Sequence, residues 1–168
     1  ITLLSQINKE AIYKTYPNRC FIDSNTLVEY AESKNNIKVI SERYDFRYIS
    51  SVGDIIILGP FAGSSTVMWV LGLNKPVIYL NNPKFQSFND NALSVIKDIF
   101  ISVDVDHDDW ENNLINILNK SYKEVEELWK AKQVYRDKYD EDWLLGKKLH
   151  AGKLGAQYIE EFMLENKI

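Results

Sequence analysis

Residues 54–80 decide the fold of this chain, and they read DIIILGPFAGSSTVMWVLGLNKPVIYL. Residues 55–58 and 77–80 are short apolar runs rich in β-branched side chains, which is typical of strands buried on both faces of a parallel sheet. Between them lie a glycine-rich turn, the hydroxyl residues 64–66 and the apolar run 67–73, which we expect to form a short, buried helix. The stretch therefore predicts a βαβ unit, with its central loop at the carboxyl edge of the sheet.

Strand and helix patterns alternate on both sides of this stretch. Further strands are predicted at residues 19–22, 37–41 and 99–103. We expect helices at residues 3–12, 26–33, 44–51, 92–97, 110–118 and 147–165, and one of about six turns from Ser121. This alternation predicts one α/β domain over residues 1–168: a three-layer, Rossmann-like domain with a mainly parallel sheet of about five or six strands, helices on both faces and two long C-terminal helices.

Several aromatic residues occupy helical packing positions. Trp110, Trp129 and Trp143 are predicted to lie in the core. Tyr44 and Tyr48, in the short helix before residue 54, are expected to rest on the sheet.

Composition excludes several classes of protein. The net charge is −4 and acids are interspersed with lysines, so we expect no nucleic-acid partner. No apolar run approaches the roughly 20 residues of a membrane span. Cys20 is the single cysteine, which rules out an intramolecular disulfide and fits a reducing compartment. Because the sequence opens at Ile1 rather than Met, we expect it to be a piece of a longer protein.

The turn Gly63-Ser64-Ser65-Thr66 offers what a phosphate group needs. Free backbone amides at a helix start, the helix dipole and the hydroxyl groups all favour an anion, and Gly63 permits close approach. The same residues are also compatible with a hydroxyl that only caps a buried helix. No GxGxxG follows a strand and no GxxxxGK[ST] is present, which disfavours nicotinamide dehydrogenases and P-loop ATPases.

The segment 54–80 resembles the donor-binding segment in the C-terminal half of GT-B glycosyltransferases, of the bacterial surface and capsular polysaccharide type related to CDP-glycerol glycerophosphotransferases. The shared pattern is a hydrophobic strand, a Ser-Ser or Ser-Thr pair opening a helix, a small-residue helix end, then Lys-Pro and a second strand. Here these features are residues 54–58, Ser64-Ser65-Thr66, Leu71-Gly72, Lys75-Pro76 and residues 77–80.

The resemblance implies a nucleotide-sugar donor whose diphosphate lies on Gly63, Ser64, Ser65 and Thr66. It implies that the nucleoside lies against the loop Ser41, Glu42, Arg43 and Tyr44 after the preceding strand. Arg43 is a candidate for a phosphate contact, or for a surface pair with Glu42 or Asp45.

The same resemblance implies no obligatory metal and no other cofactor. The acidic run around His107 lacks the glycine turn and distal glutamate of a calcium loop, so it predicts no metal site either. The implied partners are the donor and an N-terminal acceptor-binding domain that is absent from this chain. The implied location is the cytoplasm, with peripheral association at the inner face of the membrane through the acceptor.

Two family motifs are not matched, and other interpretations stay open. The chain has Arg19-Cys20-Phe21-Ile22-Asp23 where many relatives have a Lys-Pro-His-Pro or similar basic motif, and it lacks the glutamate-rich motif of retaining enzymes. The catalytic residues and the stereochemical course are therefore not assigned. Alternatives are a polyol-phosphate transferase of the same fold, a non-hydrolysing sugar-nucleotide epimerase, and a non-catalytic α/β binding or assembly module with a purely structural turn.

Overall fold

The computed structural model of the chain describes residues 1–15, 26–40, 44–59, 65–84, 89–141 and 151–165. In chain order these residues form a 3₁₀ turn (Leu4–Gln6), β1 (Ala11–Lys14), α1 (Thr26–Glu32), β2 (Ile37–Ile40), α2 (Phe46–Ile49), β3 (Ile56–Leu58), α3 (Ser65–Leu71), β4 (Val77–Asn81), α4 (Asp90–Ile99), β5 (Ile101–Asp104), α5 (Trp110–Asn119), α6 (Tyr122–Lys130), α7 (Gln133–Tyr139) and α8 (Ala151–Glu165). Strands and helices alternate as far as β5. The chain is therefore an α/β protein, as the sequence predicts.

All of the described strand pairs are parallel. β1 pairs with β2, and β3, β4 and β5 lie side by side in that order. The strands of each successive pair are joined through a helix, α1, α3 or α4, because parallel strands need a crossover connection. The described strands fall into two sheets, of two and three strands, whereas the sequence predicts about five or six strands in a single sheet.

The three-stranded sheet carries the hydrophobic core. Val77, Ile78 and Tyr79 follow one another along β4 and are all fully buried, so both faces of this strand are covered. Burying one side chain of this size contributes about 1.5–3 kcal/mol. The other core residues come from the N-terminal turn, the neighbouring strands and helices α3 to α6: Ile7, Ile56, Val70, Ile99, Phe100, Ile101, Val103, Leu114, Leu118, Val125 and Trp129.

The N-terminal segment differs from its prediction. Instead of one helix over residues 3–12, it forms the short 3₁₀ turn followed by β1. The Asn36 side-chain amide donates to the carbonyls of Leu4, Ile7 and Lys9, at 2.8, 3.1 and 3.1 Å. These bonds satisfy backbone groups outside a helix, so a distant residue stabilises the turn against the local helical pattern. The strand predicted at residues 19–22 lies outside the described residues.

The long helix predicted from Ser121 is also wrong, because the chain forms two helices that break at Ala131 and Lys132. Lys132 Nζ donates to the carbonyl of Lys97 at 2.7 Å, and Arg136 Nη1 donates to the carbonyl of Ile99 at 3.2 Å. Both carbonyls lie at the C-terminal end of α4, where unpaired oxygens and the helix dipole attract cations. Contacts with α4, rather than a local helix breaker, accompany the change from α6 to α7.

The three tryptophans predicted to lie in the core have different outcomes. Trp129 is buried and stacks on Phe100, as a core residue should. Trp110 is half-buried against the core, and Trp143 lies outside the described residues.

The aromatic residues of the α2 segment are placed differently from the prediction. Tyr44 and Tyr48 are exposed, while Phe46 packs against the core in their place. The four-residue helix α2 therefore contacts the core through its first residue and not through the two tyrosines.

The last helix, α8, forms within its predicted range. Its side chains from Gly155 to Glu165 are exposed, including the predicted apolar side with Tyr158, Ile159 and Phe162. Across the described ranges, no helix combines the length and the apolar character that crossing a membrane requires.

Candidate functional site

The chain leaves β3 at the carboxyl edge of the three-stranded sheet. β3 ends at Leu58, which lies opposite Tyr79 of β4, and α3 begins at Ser65. Because β3, β4 and β5 are parallel, their carboxyl ends meet at one edge, which is where open α/β folds bind ligands. Residues 60–64 of the predicted turn, including Gly63 and Ser64, lie outside the described residues.

Ser65 and Thr66 open helix α3. Ser65 is its first residue, and Thr66 is half-buried in its first turn. That turn contains no acidic residue, so no carboxylate of its own opposes an anion at the backbone amides of the helix start. The helix ends at Leu71, and Asn74 follows in the left-handed region with φ of 49°, which asparagine tolerates better than most residues.

The second predicted group, the nucleoside loop, is described only at Tyr44. Ser41, Glu42 and Arg43 lie outside the described residues, and Tyr44 is exposed between β2 and α2. Asp45 caps α2 by accepting from the backbone N–H of Arg47 at 2.9 Å.

Asp45 also pairs with the Arg47 guanidinium at 2.8 Å, and hydrogen bonds from the Arg47 side chain and backbone hold the pKa of Asp45 below its usual value. Asp45 therefore pairs with Arg47, while Arg43, for which the sequence left open a phosphate contact or a pair with Glu42 or Asp45, lies outside the described residues.

Helices α2 and α3 are neighbours. The Arg47 guanidinium lies 4.8 Å from the centre of the Trp69 ring. Trp69 is 51% exposed, so α3 is not the wholly buried helix that its sequence suggests. Lys75, just before β4, donates to the carbonyls of Ser50 and Gly53 at 2.9 and 2.7 Å, which ties the end of the α2 segment to the βαβ unit. The structure thus places α2, which follows Tyr44, beside α3, which begins with Ser65 and Thr66.

A polar cluster that the sequence analysis missed lies at the same edge of the sheet. Asn81 and Asp104 are the last residues of β4 and β5 and lie opposite each other. Asn81 Nδ2 donates to Asp104 Oδ1 at 2.6 Å, and Lys97 Nζ from α4 donates to Asp104 Oδ2 at 2.8 Å. Asn81 is only 3% exposed, whereas the Asp104 side chain is 33% exposed. The cluster therefore presents one accessible carboxylate on a buried polar support.

The Asp104 carboxylate is held in its charged form. Burial acts to raise the pKa of Asp104, but the hydrogen bonds from Lys97 and Asn81, aided by the Lys97 charge, outweigh burial and lower it. The signal in the sequence was a polar residue directly after each of two buried strands, because such residues fall at the edge where ligands bind.

The described residues contain no group of three or more His, Cys, Asp or Glu side chains that could hold a metal ion. What the edge does offer is a helix start without acidic side chains, and a fixed carboxylate two strands away. The first can accept a negatively charged group, and the second can accept hydrogen bonds from hydroxyl or amino groups.

Fold and site together define an α/β protein with parallel strands and a polar carboxyl edge. No protein-family model, no curated protein and no solved structure matches the chain.

Proposed function

We propose that this chain is the donor-binding half of a GT-B glycosyltransferase that uses a nucleotide-sugar to build a bacterial cell-surface polysaccharide. The observation that carries the proposal is the parallel unit β3, α3, β4, whose connecting loop leaves β3 at the carboxyl edge and leads directly into the hydroxyl-bearing start of α3. In this proposal β1–β2 and β3–β4–β5 are parts of one Rossmann-like sheet with helices on both faces.

The donor diphosphate lies on Gly63, Ser64, Ser65 and Thr66 in this proposal, and the nucleoside lies near Ser41, Glu42, Arg43 and Tyr44. The first turn of α3 supports this position for the diphosphate. No acidic residue lies in that turn, so no negative side chain there repels an anion bound to the backbone amides. The contact between Arg47 and Trp69 supports the nucleoside position, because it joins the helix that follows Tyr44 to the helix that follows the diphosphate loop.

The proposed chemistry is electrostatic. Breaking the bond between sugar and phosphate gives the departing diphosphate additional negative charge. A fixed helix start at that position stabilises the charge more in the transition state than in the bound donor, which lowers the barrier. The catalytic base and the acceptor site belong to a separate N-terminal domain, so this chain binds donor and turns over little or none of it. The enzyme acts in the cytoplasm, where its acceptor brings it to the inner face of the membrane.

The test is a thermal-shift and calorimetric titration of the chain with UDP, CDP, GDP and CMP and with their sugar or polyol conjugates, including UDP-glucose and CDP-glycerol. A ligand at a hundred times its dissociation constant adds about 2.7 kcal/mol to the free energy of unfolding. For a chain of this size, the midpoint of thermal unfolding should then rise by about 5–10 °C. A response only to CDP-glycerol would assign the site to a polyol-phosphate transferase of the same fold.

Ser65→Ala and Thr66→Val should abolish the shift while the chain still folds. The matched control is Ser33→Ala, since Ser33 precedes β2 at its amino end and its hydroxyl donates locally to the Tyr30 carbonyl at 2.7 Å. This control should leave the shift unchanged. If no nucleotide in the panel shifts the midpoint, the proposal fails and the turn is a structural part of a non-catalytic module.

A further inference from the structure

The polar cluster at the ends of β4 and β5 is built around a carboxylate whose two oxygens each accept one hydrogen bond within the part of the chain that the structure describes. Each carboxylate oxygen can accept two hydrogen bonds. In Asp104 one oxygen accepts from Asn81 and the other from Lys97, so each can accept one more from a molecule at the edge of the sheet. Since the side chain is one-third exposed, a small molecule can reach it.

The register places this carboxylate at a useful distance from the proposed diphosphate site. Leu58 at the end of β3 is level with Tyr79, so Asn81 lies two residues farther along the strand direction than the end of β3. Asp104 is level with Asn81 on the next strand. With about 4.8 Å between neighbouring strands, Asp104 lies roughly 10 Å across the sheet from the line of β3. A group attached to a diphosphate at the start of α3 can span this distance.

Charge decides which part of a donor fits beside Asp104. The carboxylate is ionised, and Lys97, its neighbouring cation, already donates to it. A phosphate would be repelled there, whereas uncharged hydroxyl groups donate well to a carboxylate. The buried amide of Asn81 fixes the carboxylate orientation before a ligand arrives, so little ordering is needed on binding.

We propose that Asp104 is a donor-binding residue whose carboxylate accepts hydrogen bonds from the hydroxyl groups of the sugar or polyol carried on the diphosphate. Asn81 and Lys97 are positioning residues that hold this carboxylate. The inference rests on the proposed function, because the diphosphate at α3 sets where the sugar or polyol lies. Asp104 would then contribute to the affinity for a nucleotide conjugate but not to the affinity for the free nucleotide.

The experiment compares the affinities of the whole chain for a nucleotide and its conjugate, using calorimetry with UDP and UDP-glucose and with CDP and CDP-glycerol. Asp104→Asn should weaken binding of the conjugate about ten- to a hundredfold. The same variant should leave the affinity for the free nucleotide within about twofold, because the ribose and the phosphates are common to both ligands. Lys97→Met keeps the Asp104 carboxylate but removes the hydrogen bond from Lys97. It should weaken binding of the conjugate by a smaller factor and again leave the affinity for the free nucleotide almost unchanged.

Ser102→Ala is the matched control, since Ser102 lies two residues earlier on the same strand and the same face, and should change neither affinity. Equal losses for conjugate and nucleotide, or no loss with a folded Asp104→Asn protein, would overturn the inference. If Asp104→Asn unfolds the chain, Lys97→Met alone decides, and an equal loss for both ligands again overturns it. Binding that depends on Ser65 but not on Asp104 defeats this inference alone, whereas no nucleotide binding by the unaltered chain defeats the proposed function with it.

Discussion

Replacing Arg136 with alanine should strongly destabilise the chain. Arg136 lies on α7 and is only 4% exposed. Its guanidinium donates to the carbonyls of Ile99 and Trp129 at 3.2 and 2.8 Å and to Gln133 Oε1 at 2.7 Å. It also lies 3.5 Å from the centre of the Trp129 ring. Burial lowers the pKa of Arg136, but a guanidinium remains protonated in proteins.

The size of the effect follows from these contacts. A hydrogen bond to a charged group contributes about 1.5 kcal/mol or more, and a desolvated cation over a tryptophan contributes about 2 kcal/mol. Part of this gain is offset by the cost of burying the guanidinium. We expect a net loss of about 3 kcal/mol in the free energy of unfolding, and therefore a fall of about 6–12 °C in the unfolding midpoint of a chain of this size.

The assay is urea and thermal unfolding followed by circular dichroism, with Arg47→Ala as the matched control. Arg47 also lies over a tryptophan, but both it and Trp69 are exposed to water, so the control should change the midpoint little. Arg136→Lys should lose most of the same stability because a lysine cannot reach three acceptors and stack at once. A loss below about 1 kcal/mol for Arg136→Ala would contradict this prediction, since it would mean that these contacts only balance the cost of burial.

Three further predictions concern local interactions. Ser121→Ala should cost about 1 kcal/mol because it removes the capping box that Ser121 forms with Glu124. Asp109→Ala should cost less in the same urea titration, because the Asp109 carboxylate accepts from the Asn112 side chain at 2.6 Å but does not cap the backbone of its helix. Tyr79→Phe should leave the unfolding midpoint unchanged or slightly higher, because the buried Tyr79 hydroxyl has no hydrogen-bond partner among the described residues; a clear drop would contradict this. The pKa of Asp104 is lower folded than unfolded, so its contribution to stability is present above its ordinary pKa and is lost as the pH falls through the folded value. The stability difference between the unaltered chain and Asp104→Asn should accordingly shrink on titration below about pH 4, and a constant difference would contradict the assignment.

The sequence predicts well those parts of the fold in which the hydrophobic pattern of the residues matches their burial in the structure. Residues 55–58 and 77–80 are apolar without interruption, and β3 and β4 form within or across these runs, with Val77, Ile78 and Tyr79 of β4 fully buried. The end of α3 was also predictable, because Asn74 can adopt the positive φ that stops the helix.

The parts that were missed depend on contacts between distant residues. Leu4 and Ile7 have helical spacing with Ala11, but the Asn36 amide bonds to their carbonyls and leaves residues 11–14 to pair with β2. Nothing in the local sequence around Ala131 breaks a helix.

For the candidate site, sequence reasoning could predict a phosphate position at the start of α3 because glycines and hydroxyls are local signals, and this position stays a prediction. It could not pair Asn81 with Asp104, since that pairing requires the register of β4 and β5. It also could not foresee that Arg47 lies over Trp69, because that contact requires two helices to pack side by side.

The C-terminal end of α4 is hydrogen-bonded by side chains that lie much later in the sequence, and this affects the order in which the chain can complete its fold. The carbonyl of Lys97 receives its cation from Lys132, 35 residues farther along, and that of Ile99 receives its partner from Arg136, 37 residues farther along. On a ribosome, the growing chain has made β5 well before these two cations leave the exit tunnel. The two carbonyls can therefore receive these cations only after the residues of all three strands of the central sheet have been synthesised.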